Sequence, residues 1–354
     1  MTSGIAASVL GWGGTDLALR RVDVESGARQ MTISGSGRHA FIIGAAIGLL
    51  AGCGGSQTQI GAPGAMPQSA YTAMHPDHGR SWMAPDAKKK DLLYISDEGA
   101  NDVYVYSYPK GKLKGTLSGF TAPRGECVDK KGDVFITNFY SHNVIEYAHG
   151  GTSPIATLND PGYTPIDCSV DPTTGNLAVT NYGSTGTLSG DVAIYRHAKG
   201  SPKGYYSDPD IFYMLSCGYD NVGDLFVDGA TSSGAFEFAE LPSGGTSLKK
   251  IKLNQSIKYP GGVQWDGTYV AVGDAYANVI YQFTISGKKG EEVGSTSLSG
   301  ASYIYQFWIQ KPKVIGPNDG YSNVKLWDYP AGGSPTKTIA GLDIPVGATV
   351  SLAK

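Results

Sequence analysis

From Glu126 to His149 the chain reads ECVDKKGDVFITNFYSHNVIEYAH, three short apolar stretches separated by polar turns. Cys127, Val128 and Asp129 close a first strand, and residues 130–132 form a polar turn. Val134, Phe135 and Ile136 make a β-rich second strand. After a turn over 138–143, the stretch from Val144 to Tyr147 alternates apolar and polar side chains as a third strand. Gly150 to Pro154 then breaks the chain ahead of a fourth strand, Ile155 to Leu158.

The pattern recurs. An aromatic residue ends a short apolar third strand at Tyr106, Tyr147, Tyr195, Phe238, Phe283 and Trp327, at intervals of 41, 48, 43, 45 and 44 residues. A Gly-containing turn follows each one. Six units of four antiparallel strands, each about 44 residues long, predict an all-β fold: a six-bladed β-propeller. The last segment, Pro345 to Leu352, copies a first strand with no second strand after it, while the first unit lacks a good first strand. Pairing Val346 to Leu352 with Leu92 to Ile95 would close the ring and remove its free edges.

Each second strand is followed by an Asp or Asn: Asp97, Asn138, Asn181, Asp228, Asp274 and Asn318, with Asp319 an equal match in the sixth unit. Such residues bond their own turn backbones, and as a ring on one face they are also candidate ligand contacts. The stretches Pro123 to Asp129 and Gly132 to Asn138 resemble the repeat of NHL-type propellers, P-x-G-[IV]-x-V-D followed by G-N-L-Y-V-[AT]-[DN]. Looser versions run from Asp171 to Asn181, Asp220 to Asp228 and Pro260 to Asp274, so the similarity covers residues 91–354. It implies architecture and leaves activity open.

Composition adds little chemistry to this frame. Charged residues are 17% of the chain and the formal net charge is -3, which gives no footprint for nucleic acid. The 50 glycines suit many tight turns.

The N-terminal region reads differently. Residues 1–30 carry Asp16, Asp23 and Glu25 and resemble no targeting signal, so they form an extension ahead of Met31. Arg38 and His39 precede an apolar run from Ala40 to Ala51, which is shorter than the roughly 20 residues a spanning helix needs. The run ends Leu50-Ala51-Gly52-Cys53, which resembles a bacterial lipobox. That resemblance implies a signal peptide over 31–52, lipidation of Cys53, and a lipid-anchored, extracytoplasmic protein of the cell envelope. Residues 53–80, rich in Gly, Pro, Ser and Gln, read as a tether, with His75 and His78 as a solvated pair; residues 81–354 form the propeller.

An oxidising envelope permits a disulfide, and Cys168 and Cys217, each three residues before the Asp of its repeat, are the expected pair. Cys127 lies two before its Asp and is expected on the other face. No G-x-S-x-G, H-E-x-x-H or P-loop occurs. His142, His149 and His197 fall at turns or strand ends with no acid partner in sequence.

Two functions fit. The favoured one is a non-enzymatic binding or scaffold module for an unknown protein or carbohydrate ligand, without cofactor, which the many Tyr residues suit. The alternative is a metal-dependent lactonase. Resemblance to regucalcin and gluconolactonase propellers would place a divalent cation on Glu126, Asn138, Asn181 and Asp228. The E-G-P-x-W start of those enzymes is absent, with Gly261 to Trp265 a faint echo.

Overall fold

The protein is described here by a computed structural model, which covers residues 79–354 apart from 185, 187 and 188. Cys53, His75, His78 and the segments before residue 79 lie outside the described residues. The described chain is a six-bladed β-propeller. The inner strands around the axis are Pro345–Ser351 in blade 1, Pro123–Val128 in blade 2 and Tyr163–Val170 in blade 3. Tyr213–Tyr219, Pro260–Trp265 and Trp308–Gln310 take the same place in blades 4 to 6.

Second strands are buried almost throughout, Leu92–Asp97 and Val134–Asn138 along their whole length. Each is sandwiched between two neighbouring blades, so successive side chains point alternately backward and forward around the ring and both sets need to be apolar. The core is accordingly a set of clusters between blades. Tyr147 fills the interface of blades 1 and 2, Tyr195 that of blades 2 and 3, and Trp327 that of blades 5 and 6.

Ring closure follows the expectation: Leu92 pairs with Ser351 and Ile95 with Ala348, antiparallel. Two blades exceed four strands. Trp82–Met83 adds an outermost strand to blade 1, and Lys252–Leu253 adds one in parallel to blade 5. In blade 6 the second strand is continuous over Lys313–Asn318 despite Pro317. The inner strand there pairs only as far as Ile315, so the missing proline N–H deprives no inner-strand partner.

Inner strands crowd at the axis. A Cβ on Gly347 would collide with the Arg124 carbonyl oxygen, and one on Gly125 with Ile166 and Asp167 of the next blade. That close approach explains the glycine of the P-x-G repeat.

Blade 4 departs from the sequence reading. Leu225 stands opposite Tyr219, as Val134 stands opposite Val128 and Leu177 opposite Val170. Four residues onward lie Asn138, Asn181 and, in blade 4, Gly229, so Asp228 is one residue out of phase with the ring. No side chain fits at Gly229, where a Cβ would meet the Tyr213 carbonyl oxygen and Ile211. Likewise Leu241 pairs with Leu225 as Tyr195 pairs with Leu177. Phe238 turns the other way, into the interface of blades 4 and 5.

The disulfide joins Cys127 to Cys168, with Cα atoms 5.6 Å apart, and Cys217 is a buried thiol. The expected Cys168–Cys217 bond is thereby corrected. Side chains of equal phase on consecutive inner strands point the same way around the ring and cannot meet. Cys127, one step out of phase, points forward to the backward-pointing Cys168. Closing a loop of sequence separation 41, the bond is worth about 2–4 kcal/mol. Alkylating the denatured, unreduced protein should label Cys217 and leave Cys127 and Cys168 unlabelled. Replacing both bonded cysteines with Ser should lower unfolding free energy by that amount, and a cross-linked Cys168–Cys217 peptide would contradict the assignment.

Candidate functional site

The face where second strands end and inner strands begin, here the upper face, carries the Asx residues. Four of them clamp the connection arriving from the preceding blade. The N–H of Thr121 donates to Asn138 Oδ1 at 2.6 Å, and that of Ser302 to Asn318 Oδ1 at 2.6 Å. Lys258 N–H donates to Asp274 Oδ2 at 2.8 Å, and Asp343 and Ile344 donate to Asp97 at 2.8 and 2.9 Å. Asn318 rather than Asp319 holds the ring position in blade 6, since its Nδ2 donates to Asn323 as Asn138 Nδ2 does to Asn143. Asn181 differs: its Nδ2 donates to Asp160 at 3.0 Å and to Asp191 at 2.9 Å. Burial lifts the Asp191 carboxyl to about 7, helped by the charge on Asp160.

Glu126 and Asp228 lie elsewhere, in a polar network about the axis. The Ser96 hydroxyl donates to Glu126 Oε1 at 2.7 Å. Gln306 Nε2 donates to Asp167 Oδ1 and to the Glu126 carbonyl, while Gln306 Oε1 accepts from Ala348 N–H at 2.9 Å. Ser216 donates its hydroxyl to Asp167 Oδ2 and its N–H to Asp228 Oδ1, and accepts the N–H of Val263. The network thus engages all six blades. Burial raises Glu126 to about 8, opposed by Ser96 and the Thr349 amide. Asp228 rises to about 8 and Asp167 to about 7 for the same first cause. Below them the axis opens into a cavity of about 280 Å³, with Trp265 and Trp308 in its wall.

The four oxygen ligands of the lactonase reading are therefore split between the upper rim and the axis. Among the described residues no group of three or more His, Cys, Asp or Glu side chains is spaced to hold a metal. Among the described residues the histidines bond neighbouring groups: His142 the Tyr163 carbonyl, His149 Ser351 and the Lys90 carbonyl, and His197 the Thr174 carbonyl.

The upper face carries a second feature, an aromatic belt. The Arg124 guanidinium sits 4.5 Å over the Phe139 ring, whose centroid is 6.3 Å from that of Tyr182. Tyr182 stacks on Tyr213 at 4.7 Å and 17°. Tyr259 stacks on Tyr276 at 4.9 Å and meets Tyr305 edge-on at 6.2 Å, and Tyr303 stacks on Tyr305 at 6.3 Å. Blades 2 to 6 all contribute. At its end Arg124 pairs with Glu98 at 2.7 Å. Burial raises the Glu98 and Asp319 carboxyls, and Arg124 opposes both shifts. Burial also lifts the Tyr182 hydroxyl to about 12.

The sequence held a signal for this belt. Glu98, Phe139, Tyr182 and Asp319 each directly follow a ring residue, and Tyr259 directly precedes an inner strand.

No family model and no curated protein matches the sequence. Solved structures do share the fold. A chain from the crystal structure of a nidogen/laminin complex superposes with a TM-score of 0.61 at 12% identity, covering 75% of this chain and 99% of that one. A protein of unknown function from Bacteroides caccae gives 0.57 at 13% identity, covering 74% and 99%. At such identities the likeness speaks to the fold alone.

Proposed function

We propose that this protein is a non-enzymatic binding module of the cell envelope, an NHL-type propeller held to the membrane by lipid on Cys53. The observation that carries the reading is the belt of stacked tyrosines across the upper face. Tyr supplies large, stiff, amphipathic contact area at low conformational cost, and its hydroxyl serves as donor or acceptor. The Cys127–Cys168 disulfide supports an oxidising location outside the cytoplasm. Nidogen and laminin form a complex in one of the similar structures, which is compatible with a propeller serving as a binding partner. Against the lactonase alternative stands Asn138, whose Oδ1 already accepts the Thr121 N–H and whose Nδ2 donates to Asn143, together with the split of the four ligands between the rim and the axis.

One preparation tests both halves. Membrane-extracted protein should carry fatty acid at Cys53, and Cys53→Ser should remain unprocessed and unacylated. The same protein should give no hydrolysis of gluconolactone with calcium, zinc or manganese. Metal-dependent turnover lost on Asn181→Ala would overturn the binding reading, and a soluble wild-type protein with a bare N-terminus would overturn the anchor.

A further inference from the structure

We infer that the ligand of the upper face is a chain of neutral pyranose sugars laid along the tyrosine belt. The inference rests on the binding-module reading and narrows it to one chemistry.

The exposed apolar residues make the first argument. Among the described residues the large exposed hydrophobics are Tyr140, Tyr205, Tyr276, Tyr303 and Tyr321, together with Ile155, Val222, Val293 and Leu352. Four of the five tyrosines lie on the upper face, and the fifth, Tyr205, is on the outer strand of blade 3, where it stacks on Tyr163. The four aliphatic residues lie off that face: Ile155 and Val293 are on outer strands, and Val222 and Leu352 are at the opposite end of the blades. An amphipathic peptide helix docks aliphatic anchors into an apolar groove. A face of phenol rings instead offers flat π-surfaces to the C–H faces of sugar rings, with hydroxyls at their edges.

Ring geometry makes the second. Tyr182 with Tyr213, and Tyr259 with Tyr276, stack within 17° of parallel. Each partner braces the other, so little side-chain entropy remains to be lost on binding. Successive platforms on blades 2 to 6 suit a chain of several sugars better than a single one.

Charge makes the third. The cation at the belt's end, Arg124, is met by Glu98 at 2.7 Å and lies within electrostatic reach of Asp319. With its charge met by Glu98, this guanidinium offers little attraction to phosphorylated or sulfated chains. Carboxylates also accept hydrogen bonds from sugar hydroxyls.

The test uses the full chain in detergent and four probes followed by calorimetry: cellohexaose, chitohexaose, decaproline and heparin. Saturable binding of at least one neutral hexasaccharide is expected. Tyr276→Ala, at a half-exposed position, should weaken it roughly tenfold, the equivalent of one stacking contact of about 1.4 kcal/mol. Its melting temperature should match the wild type. Val222→Ala, an exposed position at the opposite end of the blades, should bind as the wild type does. Binding of decaproline without either sugar would overturn the glycan inference and leave the binding-module reading standing. Binding of heparin alone would overturn the neutral-chain argument. Silence with all four probes would overturn the glycan inference, and undiminished sugar binding by Tyr276→Ala would remove the belt as its site.

Discussion

Cutting the chain after Leu342 is expected to leave a protein that is insoluble or melts far below the wild type. The lost segment includes the whole inner strand of blade 1. Its removal strips Leu92–Asp97 of a ladder partner along its length and leaves Asp97 without the amides of Asp343 and Ile344. It also takes Ala348 and Val350 from the interface of blades 6 and 1, and the Ala348 N–H from Gln306. A buried Val is worth roughly 1.5–3 kcal/mol and each orphaned buried polar group about 1–3, so the sum rivals a whole domain's stability of about 5–15 kcal/mol. A synthetic peptide of residues 343–354, added during refolding, should recover part of the native signal by strand addition. A truncated protein that melts at the wild-type temperature would show that the ring does not depend on its closing strand.

That closure was readable from the sequence because a propeller repeat is short and its strands are consecutive. A surplus first strand at one end and a missing one at the other admit few solutions. Blade 4 was misread for a physical reason. Its ring position holds Gly229, where the Tyr213 backbone leaves no room, and its third strand ends in Leu241 rather than an aromatic. Asp228 and Phe238 lay close enough to the right spacing to take their places. The disulfide was misassigned because equal phase was read as proximity, whereas neighbouring blades touch through side chains of opposite phase. The belt escaped for another cause. Its tyrosines occupy no single repeat position, since Tyr182 and Tyr213 lie at strand ends and Tyr259, Tyr276, Tyr303 and Tyr305 in connections, and only ring closure brings residues as distant as Phe139 and Tyr303 onto one face.

Stability should fall as pH rises from 5 to 8, because the axial network buries carboxyl groups that hold their protons. Glu126 is raised from 4.5 to about 8, and Asp228 and Asp167 from 3.8 to about 8 and about 7, with burial the leading cause in each. Between the unfolded and folded values, the folded state keeps a proton that the unfolded chain releases. Each such group therefore makes unfolding easier by about 1.4 kcal/mol per pH unit. The contribution is intact below about pH 4 and is lost as pH climbs through the folded values. Asp167 and Asp228 share Ser216 and titrate as a coupled pair, so Glu126 is the cleaner probe. Glu126→Gln keeps the shape and can still accept from Ser96 while removing the titration. Denaturant unfolding should find the variant close to wild type near pH 4.5 and more stable at pH 8 by up to about 4 kcal/mol. A merely damaged core would instead lower stability equally at both pH values. Parallel pH profiles for variant and wild type would mean that Glu126 is not held protonated at the axis.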